Sequence, residues 1–242
     1  MKCIYKNILK LILNKEKQLA VLIDPDKFLI ENTACFIKKV NNSIATCIFI
    51  GGSIVEENVT DVLVEEIKKH TLLPIILFPG DVSQITNKAD ALLFLSLISG
   101  RNPEYLIEKH IKSVPILRET TLEILPTGYI LIDGGKKTAV EQVTNTKPLS
   151  RNNIQHIVDT AKSGELLGMQ LIYLETGSGA KLALDANTIS AVKKELKIPL
   201  IVGGGLRSLL AIEKAYAAGA DMVVIGTAFE DDESFLEELL KK

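Results

Sequence analysis

Eight short apolar runs, most of them separated by stretches with helical periodicity, constrain the fold of this chain more than any other feature. They occupy residues 19–23, 46–50, 74–78, 91–95, 129–132, 171–174, 200–202 and 222–225. Each is nearly continuous in Ile, Leu and Val instead of alternating with polar residues, which is the pattern of strands covered on both faces and hence of parallel sheet. Between them, residues 58–70 place Val59, Val62, Leu63 and Ile67 on one helical side. Residues 185–196 carry Ile189, Val192 and Leu196 behind Asp185, a residue suited to cap a helix, and residues 208–218 continue the pattern. Strand and helix in repeated alternation over 242 residues predict a single-domain (β/α)8 TIM-like barrel spanning 1–242. A doubly wound open sheet is the alternative, because counting strands does not reveal closure.

Composition narrows the function classes. A net charge of −2 leaves no electrostatic footprint for nucleic acid. Cys3, Cys35 and Cys47 are odd in number and have no metal-ligand spacing, which predicts structural thiols in a reducing cytoplasm. His70, His110 and His156 are scattered without zinc-like partners and read as surface or helix-end residues. The opening segment, MKCIYKNILKLILNK, is amphipathic, lacks a small-residue cleavage site and is too short to span a bilayer. It reads as a helix covering one end of the fold, with contact to a membrane surface as the alternative. Residues 133–150 form a polar segment expected on the C-terminal rim, where barrel enzymes build their active sites.

The chemistry gathers at the predicted C-terminal ends of the strands. After the run Leu171–Leu174 comes Glu175, followed by Thr176, Gly177, Ser178 and Gly179, whose backbone N–H groups can close around an oxyanion. Taken alone, this stretch reads first as a strand stopping at a Gly-rich turn with a solvated Glu. The pattern recurs: Gly203, Gly204 and Gly205 follow the seventh run, and Gly226 and Thr227 follow the eighth. Barrels frequently bind phosphate with the loops after strands 7 and 8, so three such loops point to a phosphate site. The acidic run 230–233 opposes an anion only if it faces inward, and it suits the start of a helix pointing outward. At the first strand end stands Asp24 within IDPDK, and at the second Ser53 within GGS. One carboxylate and one hydroxyl suit Mg2+, which keeps waters and takes phosphate oxygens. Asp24 as a plain turn or helix cap is the equal alternative.

With IDPDK, GGS, YLETGSGA, VGGGLRS and IGTAFE in this order and spacing, nearly the whole chain resembles the geranylgeranylglyceryl phosphate synthase family, in its second, archaeal and bacterial branch. YLE followed by a GSG turn is the specific part of the resemblance. It implies a cytoplasmic prenyltransferase that joins sn-glycerol 1-phosphate to geranylgeranyl diphosphate with Mg2+ and releases diphosphate, in ether-lipid synthesis. By position it makes Asp24 and Ser53 the Mg2+ ligands. It assigns glycerol phosphate to Tyr173, Leu174, Glu175, Thr176, Gly177, Ser178, Gly179, Gly204, Gly205, Gly226 and Thr227. Glu175, beside the bound glycerol phosphate, is then the base that takes the proton of the attacking hydroxyl. A homo-oligomer is expected, as for many soluble barrels.

This sequence departs from the other branch at Leu22, two residues before the metal Asp, where that branch has a Lys. Lys27, Lys136, Lys137, Lys181 and Arg207 are the substitutes on offer. A longer prenyl diphosphate, such as heptaprenyl, is an alternative substrate. Other phosphate-handling barrels, such as an isomerase or aldolase, and a non-catalytic phosphate binder are the rival classes. No strand carries a Lys inside its apolar run for Schiff-base chemistry, which disfavours the aldolase.

Overall fold

The computed structural model describes residues 3–53, 55–226 and 239–240. Eight parallel strands lie in sequence order: β1 (Gln18–Ile23), β2 (Cys47–Ile50), β3 (Ile75–Leu77), β4 (Ala91–Leu97), β5 (Glu123–Leu131), β6 (Leu171–Glu175), β7 (Leu200–Gly203) and β8 (Met222–Ile225). β8 pairs with β1, so the sheet closes into a barrel and the open-sheet alternative falls. The continuous apolar runs follow from this, because alternate residues face two different cores. Ala20, Phe49, Ile76, Leu93, Leu125, Tyr173, Ile201 and Val224 fill the barrel interior. Leu19, Val21, Ile48, Ile130, Leu174 and Val202 pack outward against helices. The outer layer is built from α2 (Thr33–Asn42), α3 (Val59–Lys68), α4 (Lys109–Arg118), α5 (Ala139–Thr144), α6 (Ile154–Leu166), α7 (Ala186–Glu195) and α8 (Leu209–Ala217).

The first helix, α1 (Ile4–Leu13), covers the N-terminal end of the barrel, as its amphipathic pattern predicts. Ile4 and Ile8 are buried against the interior cluster that includes Ala20, Cys47 and Met222. No side chain of its own caps it. Instead Glu123, at the start of β5, accepts hydrogen bonds from the Ile4 and Tyr5 N–H groups. A carboxylate at the positive end of a helix satisfies orphan donors and complements the dipole. Glu123→Ala is therefore expected to cost about 1–2 kcal/mol of stability, read as a lower urea midpoint with an unchanged m-value.

Three features differ from the sequence pattern. β5 begins at Glu123, six residues before the apolar run at 129, because Pro126 and Gly128 interrupt that run while still pairing with Phe94 and Ser96 of β4. The segment 133–150 is ordered: it holds α5, capped by Thr138, and returns to the sheet through a parallel bridge between Ile132 and Leu149. Between β3 and β4 there is no α-helix among the described residues, only the 3₁₀ turn Val82–Gln84. β3 and β4 pair only at Ile76↔Ala91 and Leu77↔Leu92, after which β4 runs on along β5. Beyond Leu77 the two strands diverge and leave a slot in the barrel wall. Among the described residues no helix is long and apolar enough to cross a membrane. The three cysteines are unpaired, and burial inside the barrel pushes the Cys47 thiol up to about 12.

Candidate active site

At the C-terminal end of the barrel, the period of two that sends Tyr173 inward also sends Glu175 inward, level with Leu131 and Gly203 on the flanking strands. The side chain is buried, at 6% exposure. Its Oε1 accepts the Gly177 N–H at 2.6 Å. The Tyr173 hydroxyl faces the carboxylate closely enough to interact electrostatically, without the alignment of a full hydrogen bond. Burial pushes the carboxyl above its ordinary range, opposed by the Gly177 N–H, the Tyr173 hydroxyl and the Thr176 N–H. A carboxylate tuned in this direction is a better proton acceptor near neutral pH.

The glycines of the seventh strand make room for it. A Cβ on Gly203 would lie 2.5 Å from Tyr173 Oη and 2.7 Å from Glu175 Oε2. Gly204, at φ +83°, approaches Glu175 Oε1 and Thr176 Oγ1 more closely than any Cβ tolerates. Beneath the carboxylate, Phe78, Tyr129 and Tyr173 form an aromatic floor with ring centroids 5.3–5.8 Å apart.

A cleft opens above this floor. Its wall includes Asp24, Ser53, Tyr173, Glu175, Ser178, Gly179, Gly204, Gly205 and Gly226, so the candidates from five strand ends meet in one place. Three predicted residues are placed otherwise. Leu174 turns its side chain to the helix layer. Thr176 is fully buried behind the cleft. Gly177 spends its N–H on Glu175 and packs against Thr138, so that donor fixes the carboxylate and is not offered to an anion. Thr227 and the acidic run 230–233 lie outside the described residues.

Asp24 stands at the rim against the bare Cα of Gly52, where a Cβ would come within 2.7 Å of Oδ1. Lys27 Nζ approaches Asp24 Oδ2 at 3.0 Å. No cluster of three His, Cys, Asp or Glu side chains occurs among the described residues. One carboxylate already facing a cation, with the Ser53 hydroxyl in the same cleft, is a donor set that fits Mg2+ retaining waters. It does not fit an all-protein cage.

A second, apolar cavity enters the slot between β3 and β4 and shares Gly52, Ser53, Phe78, Tyr129 and Val140 with the first. Leu97, Tyr105, Val143, Ile85, Phe94 and His110 line it. His110, half-buried at the start of α4, keeps the helix-end position its sequence context predicts and also lines this cavity: its ring stands edge-on to Phe94 at 4.3 Å, and burial pushes its pKa down against a main-chain hydrogen bond at Leu95. Gln84 carries no mark in the sequence. This buried amide donates to Gly52 O at 2.8 Å and accepts from the Gly52 and Gly80 N–H groups, tying together the loops after β2 and β3. A single Gln between Val82 and Ile85 has no spacing signature to find.

The sequence profile of the PcrB family matches residues 12–242. The geranylgeranylglyceryl phosphate synthase of Flavobacterium johnsoniae is 53% identical over 234 residues, covering 97% of this chain and 96% of its own length. That of Zunongwangia profunda is 56% identical over 218 residues, covering 90% and 93%. Among solved structures, (S)-3-O-geranylgeranylglyceryl phosphate synthase from Thermoplasma acidophilum, in complex with its substrate sn-glycerol-1-phosphate, superimposes with a TM-score of 0.92. It is 32% identical, and the match covers 99% of this chain and 96% of that one.

Proposed function

The chain belongs to the PcrB family, and on that premise we propose that it joins sn-glycerol 1-phosphate to geranylgeranyl diphosphate, giving 3-O-geranylgeranyl-sn-glycerol 1-phosphate and diphosphate. It is a prenyltransferase of ether-lipid synthesis. The observation that carries this reading is the shared wall between a polar cleft and an apolar slot, with Phe78 and Tyr129 common to both. A phosphorylated polyol and a hydrocarbon chain then meet at one point, beside Glu175.

In the reaction the glycerol C3 oxygen forms a bond to C1 of the prenyl chain as the C1–O bond to diphosphate breaks. Glu175 accepts the proton of that hydroxyl, held in place by the Gly177 N–H. The loops bearing Ser178, Gly179, Gly204 and Gly205 fix the phosphate end, so the nucleophile is positioned in line. The aromatic floor keeps water from the developing allylic cation, whose charge its ring faces stabilise. Asp24 and Ser53 would hold Mg2+, which when bound neutralises charge on the diphosphate. The same reading gives a cytoplasmic homo-oligomer, a location its three unpaired thiols support.

The test is transfer of radiolabelled sn-glycerol 1-phosphate into organic solvent with Mg2+ and prenyl diphosphates of increasing length. Label should move, most with the twenty-carbon donor. No transfer at any length, with glycerol phosphate still bound, would return the cleft to the isomerase class. In the same assay Asp24→Asn is expected to lower kcat/KM for the prenyl diphosphate about 10²-fold. Calorimetric binding of sn-glycerol 1-phosphate should survive.

A further inference from the structure

The cleft carries an unfavourable charge balance for the substrate it is proposed to hold. Its wall bears three carboxylates, Asp24, Asp26 and Glu175, against two cations, Lys27 and Arg207. Lys27 is engaged by Asp24 at 3.0 Å. Leu22, which faces Gly226 across the floor, contributes no charge. A phosphate monoester is close to a dianion at neutral pH, and backbone N–H groups alone leave that charge uncompensated.

Two side chains stand where the missing charge is needed. Arg207 follows Gly205 and Leu206 and directly precedes Ser208, the residue capping α8, so its base is fixed at the cleft edge. Lys136 reaches over from the loop after β5, with Nζ 3.2 Å from the point a Cβ on Gly179 would occupy. Its loop is held by the Gly135 N–H to Asp133 Oδ1 at 2.8 Å, and by the Lys181 and Leu182 N–H groups to Gly134 O at 3.1 Å. Neither Lys136 nor Arg207 is ion-paired among the described residues. Lys136, Lys137 and Lys181 all stand just outside the cleft wall, and of the three it is Lys136 whose amine reaches Gly179, which lines it.

We propose that Lys136 and Arg207, from the loops after β5 and β7 on either side of the Gly179 loop, clamp the phosphate of the glycerol substrate and supply the charge that Leu22 does not. The inference rests on the reading under Proposed function. Both side chains are exposed and act on ground-state binding of the phosphate, remote from the bond that forms.

The experiment compares Lys136→Ala, Arg207→Ala and the double variant with the charge-keeping Lys136→Arg and Arg207→Lys, by steady-state kinetics and by titration calorimetry with sn-glycerol 1-phosphate at two salt concentrations. Each alanine should raise KM for sn-glycerol 1-phosphate about tenfold and the double variant about a hundredfold, with kcat at saturation and KM for the prenyl diphosphate within about twofold. The charge-keeping variants should recover most of the loss, and the salt dependence of binding should flatten in the double variant. An unchanged KM for sn-glycerol 1-phosphate in the double variant would overturn the clamp. So would a rise confined to the prenyl diphosphate, which would put both cations on the other substrate. A wild-type protein that does not bind sn-glycerol 1-phosphate at all would instead bring down the reading of the cleft itself.

Discussion

Glu175→Gln is expected to lower kcat by about 10²–10⁴-fold, the range a positioned general base contributes, while sn-glycerol 1-phosphate still binds. The substitution is nearly isosteric. The Gln carbonyl can keep the Gly177 N–H that Oε1 now accepts at 2.6 Å, and its amide would face the Tyr173 hydroxyl, so the pocket keeps its shape. What is lost is the acceptor for the substrate proton. Wild-type turnover in this variant would remove Glu175 from the chemistry.

The pH dependence gives a second readout. Burial raises the Glu175 carboxyl above its ordinary range, so wild-type kcat/KM should fall as pH drops through that raised value. The residual rate of the variant should lack this limb. Stability runs the other way. A carboxyl with a raised folded-state pKa binds its proton more tightly in the native protein, so its contribution is fully favourable below the unfolded value near 4.5 and is lost as pH rises through the folded value. Relative to wild type, Glu175→Gln should therefore gain stability between pH 4 and pH 8, measured as the difference in urea midpoints.

Gly204→Ala is expected to cost about a hundredfold or more in turnover, the scale of an ångström-level misplacement, together with about 1–3 kcal/mol of stability from the left-handed backbone. The added methyl would fall on Glu175 Oε1, Thr176 Oγ1 and the Thr176 N–H. These are backbone and buried atoms that cannot swing aside. Gly168→Ala separates the two effects: it sits at φ +91° with open space where its Cβ would go. That variant should lose stability on the scale of the strain alone and keep full activity. Equal activity in the two variants would mean that the close approach of Gly204 to Glu175 is not needed for the chemistry.

Much of the barrel was legible because parallel strands buried on two sides leave an unambiguous apolar run, and seven of the eight runs lie within two residues of the strand limits, β4 reaching two residues further to Leu97. β5 was half hidden, since Pro126 and Gly128 look like turn residues and only pairing with β4 makes them strand. The candidate site was legible to the extent that chemistry sits at strand ends: Asp24, Ser53, Glu175, Gly179 and the glycines after β7 and β8 do line one cleft. Which N–H faces an anion was not legible. Gly177 and Gly179 look alike in sequence, and only the fold shows that the first is turned back to Glu175. The slot and its lining were invisible for a related reason. They depend on where two strands stop pairing, and residues such as Phe94 and His110 have no local mark of facing a cavity.

The early separation of β3 from β4 has an evolutionary consequence. On the proposed reading the prenyl tail takes the slot in the wall, and the residues lining that slot, from Ile85 and Phe94 to His110 and Ser113, belong to elements that carry none of the carboxylates or glycines of the cleft. A lineage confronted with a different pool of isoprenoids can re-cut the channel by ordinary drift in aliphatic size. The acid, the polyol seat and the geometry between them are inherited untouched. Selection on tail and selection on head are decoupled by a few missing hydrogen bonds in one seam of the barrel.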